Sequence, residues 1–198
     1  CVTETIRKVG PGSLNVGKRF DVTTDTEWSV WELSNAPPPM GPLFYRNRWP
    51  IRSWPQEIQE QSQIWTRTGY ILQELGFISG IKTDQEIHEG LEDSRYRADM
   101  TAAEVATLVS KLLYFGRRDG FVLPTISHVP INGKEAIHFI AQSAQDAGFQ
   151  HGLEYKTTVY AFPDKDRLDF VYFTAPAMLY YDKYWPEAER VIRSIRFK

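Results

Sequence analysis

The sequence predicts an α+β domain, a mostly antiparallel sheet packed by helices. Three observations carry this. Apolar and polar residues alternate with period two in many short segments. Helical periodicity is confined to two places, and one late strand is apolar on both faces, so both of its sides need cover. Apolar residues make up 42% of the 198, with 11 Phe, 10 Tyr and 6 Trp, enough for a sizeable core.

In chain order, residues 1–15 read as an N-terminal tether and 16–198 as a single domain with a proline-rich insertion at about 34–60. The tether assignment rests on polar Thr3, Glu4, Thr5, Arg7 and Lys8 and the breaker cluster Gly10-Pro11-Gly12-Ser13. Lys18 to Thr23 reads as a strand, with Phe20 and Val22 on one face, and Trp28 to Leu33 as another. Pro37, Pro38, Pro39, Pro42, Pro50 and Pro55 then exclude helix and central strand from most of the insertion. Ile64 to Thr66 and Tyr70 to Leu75 suggest a hairpin, and Phe77 to Ile81 extends the sheet or bulges at Gly76 and Gly80. Thr83 to Arg97 reads as loop with at most a short strand.

The clearest helix is 101–115. Thr101 and Glu104 form a capping box, Val105, Leu108, Val109, Leu112 and Leu113 make one apolar face, and Gly116 is the stop. Strands follow at Phe121–Val129, Ala136–Gln142, Leu153–Phe162 and Arg167–Ala175. Pro163-Asp164-Lys165-Asp166 is a turn signature that pairs the last two antiparallel. Leu168, Phe170 and Tyr172 face one way there, and Val171, Phe173 and Ala175 the other. Pro186 opens a final helix at its first position, with Val191, Ile192 and Ile195 as its apolar face. The aromatics before it, Tyr180, Tyr181, Tyr184 and Trp185, read as packing for that helix more than as a binding rim.

Charge is nearly balanced, 23 Lys+Arg against 25 Asp+Glu, which argues against a nucleic-acid binder. No apolar run reaches the length of a membrane-spanning helix. Catalytic motifs fail on inspection. Gly12 to Arg19 resembles a phosphate loop, but Arg19 stands where a Mg²⁺-ligating hydroxyl belongs. His88-Glu89 lacks the second histidine of a zinc-protease helix, Glu92 standing there instead. His128, His138 and His151 lack regular ligand spacing, so neither a metal nor a cofactor is expected; a hydrolase would need one of them beside a nucleophile in a cleft. One segment stands out. Tyr45, Arg46, Arg48, Trp49, Arg52 and Trp54 crowd cations and aromatics into ten residues without an acid, a candidate binding patch whose alternative is a lid folded onto the core.

Two resemblances add to this reading. A chain that opens on its only cysteine, Cys1, resembles a mature bacterial lipoprotein of proteobacterial type. The resemblance implies acylation at Cys1, a membrane as partner, and a place in the cell envelope facing the periplasm, on the inner or outer membrane; two or more acyl chains anchor stably where one does not. The ending from Pro186 to Phe197, with Ser194-Ile195-Arg196-Phe197, resembles the C-terminus of Mog1/PsbP-like proteins over about the last 80 residues. That implies an α/β/α sandwich around an antiparallel sheet and a role in binding proteins or assemblies. The expected function is therefore a non-enzymatic, lipid-anchored envelope protein that binds a protein or envelope component. The alternative is a carrier of a small molecule or lipid in a pocket between the sheet and the proline-rich flap.

Overall fold

A computed structural model describes residues 3–16, 19–34, 47–50, 74–87, 94–113, 125–145, 153–178 and 180–198. The strands are β1 (Thr3–Val9), β2 (Gly12–Val16), β3 (Phe20–Thr24), β4 (Trp28–Ser34), β5 (Asn47–Pro50), β6 (Glu74–Lys82), β7 (Ile126–Ile131), β8 (Lys134–Gln145), β9 (Leu153–Pro163), β10 (Arg167–Pro176) and β11 (Arg196–Phe197). The helices are α1 (Ala102–Leu113) and α2 (Tyr180–Arg193). Eight strands form one antiparallel sheet in the order β1-β4-β5-β6-β10-β9-β8-β7, and β11-β3-β2 form a second, smaller sheet. The α+β class and its mostly antiparallel sheet are as expected.

Strand β10 divides the core. Leu168, Phe170 and Tyr172 join the cluster under α1 with Val105, Leu108, Val109 and Leu112. Val171, Phe173 and Ala175 join the other cluster, with Val191 and Ile192 of α2 and Phe20 and Val22 of the small sheet. Both faces of this strand are covered because both are apolar. Phe197 stands edge-on to Phe162 at 4.8 Å and to Phe20 at 5.7 Å, so the C-terminal strand locks the small sheet onto the large one.

Capping of α1 follows the sequence. The Thr101 N–H donates to Glu104 Oε2 at 2.7 Å, and the Glu104 N–H donates back to Thr101 Oγ1 at 3.3 Å. That backbone hydrogen bond holds the Glu104 carboxyl below its ordinary pKa. Strands β9 and β10 pair across the expected turn, from Leu168↔Pro163 to Pro176↔Tyr155. Strand β6 bulges against β10. One residue, Asp169, faces the two between Ile78 and Ile81, and Gly80 takes φ +78° there.

Three expectations are corrected. Residues 3–9 and 12–16 are strands rather than a tether; β1 pairs β4 from Thr3↔Ser34 to Val9↔Trp28. Their β-branched Thr3, Thr5, Ile6 and Val9 favour extension, and the edge of a sheet tolerates charges such as Glu4, Arg7 and Lys8. The insertion contributes β5 to the sheet between β4 and β6, because its Pro50 falls on the last residue of the strand and breaks no ladder within it. Finally, α2 begins at Tyr180, so Pro186 lies inside it. Side-chain packing offsets the lost backbone bond: Tyr181 stacks on Trp185 at 6.0 Å and Tyr180 on Tyr184 at 6.3 Å, each pair one turn apart. The hairpin expected at 64–75 lies outside the described residues except for Glu74 and Leu75, which belong to β6.

Candidate functional site

Of the candidate patch, Arg48 and Trp49 fall in β5, while Tyr45, Arg46, Arg52 and Trp54 lie outside the described residues, as does Cys1. The ladder ties Arg48 into a row that crosses the whole sheet: Ile6, Trp31, Arg48, Gly76, Tyr172, Val159, Phe139 and Ile126.

Where this row reaches β6 and β10, a buried polar cluster interrupts the apolar face beneath α1. The Tyr172 hydroxyl donates to Glu74 Oε1, and both residues are buried. On the same face, Thr157 Oγ1 donates to Thr174 Oγ1 at 2.8 Å. Burying a carboxylate costs several kcal/mol unless hydrogen bonds compensate, so this acid marks the polar focus of the sheet. Composition did not reveal it; the available signal was an acid between Gln73 and Leu75 at the start of an apolar strand.

A second buried acid lies on the opposite face. Asp169 is 0% exposed. It accepts from the Gly80 N–H at 2.8 Å and from Arg19 Nε at 3.1 Å, and Arg19 also donates through Nη1 to the Lys198 carbonyl. This acid closes the β6 bulge and fastens the small sheet; its signal was a lone charge in the run Leu168 to Phe173. Gly12 to Val16, the near phosphate loop, is strand β2, and Arg19 is the partner of Asp169.

Two histidines sit on the β7–β8 hairpin, and His88 and His151 lie outside the described residues. Ser127 Oγ and His138 Nδ1 share a hydrogen bond of 3.2 Å across the strands, the imidazole tautomer setting which of them donates. The His138 ring lies 4.7 Å from that of Tyr160, and Arg193 of α2 sits 5.9 Å above the Tyr160 ring. Burial, with a smaller push from Arg193, holds the His138 pKa below its ordinary value. The structure thus brings together one histidine and one hydroxyl of the three-way requirement for a hydrolase. As it stands the pair satisfies two half-buried polar groups across a strand pair. His128 Nδ1 meets the exposed Glu135 at 3.0 Å.

The tyrosines ahead of Pro186 are largely core. Tyr181 is buried, shares a hydrogen bond with Thr158, and packs against Phe173 at 5.5 Å; burial pushes its hydroxyl pKa up to about 12. Among the described residues no group of three His, Cys, Asp or Glu side chains is placed to hold a metal ion, and no helix is long and apolar enough to cross a membrane. The chain matches no family model, and no curated protein is similar to it at a significant level.

Proposed function

We propose that this protein is a non-enzymatic, lipid-anchored component of a bacterial cell envelope that binds a protein or envelope component through an outer surface. The observation that carries this reading is how completely β8, β9 and β10 are buried on both faces among the described residues. Phe139, Val159 and Phe170 on one face and Phe162, Val171 and Phe173 on the other are all 0% exposed. A core packed to this degree is a scaffold that presents a surface rather than a shell around a ligand. The arginine–aromatic segment 45–54 is the favoured surface. Its Arg48 and Trp49 are held by main-chain pairing to Gly76 and Leu75, which gives a recognition segment a rigid base. The anchor is Cys1, with the domain facing the periplasm.

Two experiments test the reading. In protein isolated from its native cells, the Cys1 peptide is expected to carry a diacylglyceryl group by mass; an unmodified thiol overturns the anchor. Replacing Arg46, Arg48 and Arg52 together with Ser is expected to abolish chemical crosslinking of the protein to a partner in native membranes while the melting temperature stays within a few degrees. Collapse of the fold instead assigns the segment to a lid over the core.

A second reading is favoured by the buried Glu74–Tyr172 pair, which shares the sheet region of Arg48. On this reading the proline-rich segment covers a polar-floored ligand site, and the protein is a carrier. Co-purification of a stoichiometric small molecule, lost in Glu74→Gln, separates it from the first.

A further inference from the structure

The β7–β8 hairpin turns on Asn132-Gly133, the single Asn-Gly in the chain; Asn15, Asn35 and Asn47 precede Val16, Ala36 and Arg48. Both turn residues are exposed and take positive φ, 45° and 80°. The Ile131–Lys134 pair closes the turn, which leaves the Gly133 N–H outside the ladder. The Asn132 side chain is tied down elsewhere. Its Nδ2 donates to the Arg193 carbonyl at 2.9 Å and to the Ile195 carbonyl at 2.5 Å. Arg193 closes α2 and Ile195 leads into β11, and carbonyls at a helix C-terminus lack partners within the helix. Beyond them β11 pairs with β3, and the Lys198 N–H donates to the Arg19 carbonyl at 3.0 Å. One hairpin amide thus fastens the end of α2 and the start of β11.

This amide is also the one the sequence makes most labile. An asparagine deamidates when the backbone nitrogen that follows it reaches its side-chain carbonyl carbon. Glycine, with no Cβ, hinders that approach least. The two hydrogen bonds to α2 hold the Asn132 amide in place, so the attack waits for local opening of the α2–β11 junction.

We propose that Asn132 is a deamidation site, and that its conversion makes the opening of this junction permanent. The Gly133 nitrogen bonds to Asn132 Cγ, the Cγ–Nδ2 bond breaks, and ammonia leaves with the proton given up by the Gly133 nitrogen. Water then opens the cyclic imide at either carbonyl, leaving aspartate or isoaspartate. A carboxylate has no proton to donate, so its oxygens would face the Arg193 and Ile195 carbonyls at the negative end of the α2 dipole. The neighbouring cations are already engaged. Arg193 reaches the Pro130 carbonyl at 3.5 Å and Glu189 at 3.4 Å, and Lys134 reaches Asp164 at 3.4 Å. Isoaspartate also lengthens the main chain within a two-residue turn and disturbs the pairing of Ile131 with Lys134. Either product unfastens β11. The site requires neither segment 45–54 nor acylation of Cys1.

The test is to warm the purified protein at mildly alkaline pH and map its peptides by mass for conversion of amide to acid and for isoaspartate. Asn132 is expected to convert while Asn15, Asn35 and Asn47 stay intact. Phe197→Ala, which frees β11 from Phe162 and Phe20, should convert several-fold faster. Sub-denaturing urea on the parent protein reads the same acceleration should that variant not fold. Asn132→Asp, one of the two products, should melt about 5 °C below the parent and exchange amide hydrogens faster in β11. Asn132→Gly keeps the positive φ and loses the two hydrogen bonds without adding a charge, so its melt should lie between the two. An Asn132 that converts no faster than the other three asparagines overturns the site. Asn132→Asp as stable as the parent overturns the unfastening, and an unaltered rate both in Phe197→Ala and in urea overturns the dependence on opening. None of these outcomes bears on the envelope reading, which the mass of the Cys1 peptide decides.

Discussion

The ring of Tyr172 lies directly across Gly76, and only glycine leaves it room: a Cβ at position 76 would stand 2.2 Å from Tyr172 Cε1. The two residues are register partners between β10 and β6. Lying over the glycine lets the Tyr172 hydroxyl reach diagonally to Glu74. A bare strand position, an aromatic and a buried acid thus form one unit, and none of the three makes sense alone.

Gly76→Ala should therefore destabilise the protein by about 1–3 kcal/mol through overpacking, although the backbone there needs no positive φ. In a Tyr172→Val background the same substitution should cost far less, because the clashing ring is gone. Urea denaturation of the two single variants and the double variant measures this coupling. Additive costs would show that Gly76 is required for some reason other than the tyrosine.

The buried acid on the other face gives a second cycle. Arg19→Ala leaves Asp169 with the Gly80 N–H as its remaining described donor, and removing one partner of a buried ion pair costs about 3–5 kcal/mol. Arg19 is 17% exposed, so water partly replaces it and the expected loss is near the lower end of that range. Because Arg19 also holds the Lys198 carbonyl, hydrogen exchange should quicken in β11 and β3 before it does in β9. Uniform quickening would mean that the pair does not fasten the small sheet in particular.

Acid should loosen the β7–β8 end. The folded pKa of His138 is lowered by burial and by Arg193, with Glu189 pulling weakly the other way. Ser127 of β7, Tyr160 of β9 and these two α2 residues are the groups facing it. A histidine with a depressed folded pKa binds its proton more readily when unfolded. Its contribution is thus complete above the unfolded value of about 6.5 and is lost as pH falls below it. Melting temperatures at about pH 7.5 and about pH 5 should converge in His138→Gln relative to the parent. A parallel fall in both proteins would place the acid sensitivity elsewhere.

How much of this was legible follows from where each signal resides. Helix α1 was readable because the Thr101–Glu104 box and the Val105–Leu112 face lie within one segment. Strand β10 was readable because Leu168 to Ala175 is apolar on both faces. The β7–β8 register was available too. Asn132-Gly133 takes φ 45° and 80°, a two-residue turn that pairs Ile131 with Lys134 and hence Ser127 with His138. By contrast, β1 is polar, and what makes it a strand is β4, some twenty residues on. Likewise β5 is short and ends on a proline, so only its neighbours define it. The polar clusters were hidden for the same reason: Glu74 and Tyr172 are 98 residues apart, and Arg19 and Asp169 are 150 apart.

Pro186 offers the last test, and one with an unusual sign. It lies seven residues into α2, lacks the N–H that would donate to the Asp182 carbonyl, and nevertheless leaves the helix continuous to Arg193. An interior proline costs about 3 kcal/mol relative to alanine in a helix, part of which is returned because proline also stiffens the unfolded chain. Pro186 is exposed, so an alanine there disturbs no core contact. Pro186→Ala should accordingly stabilise the protein, by about 1–2 kcal/mol after that offset, with a higher melting temperature and slower exchange of the amides from Tyr184 to Ala188. A loss of stability would mean that the proline directs the first turn, where Tyr181 and Trp185 stack over Phe173, and that its fixed backbone aligns those rings.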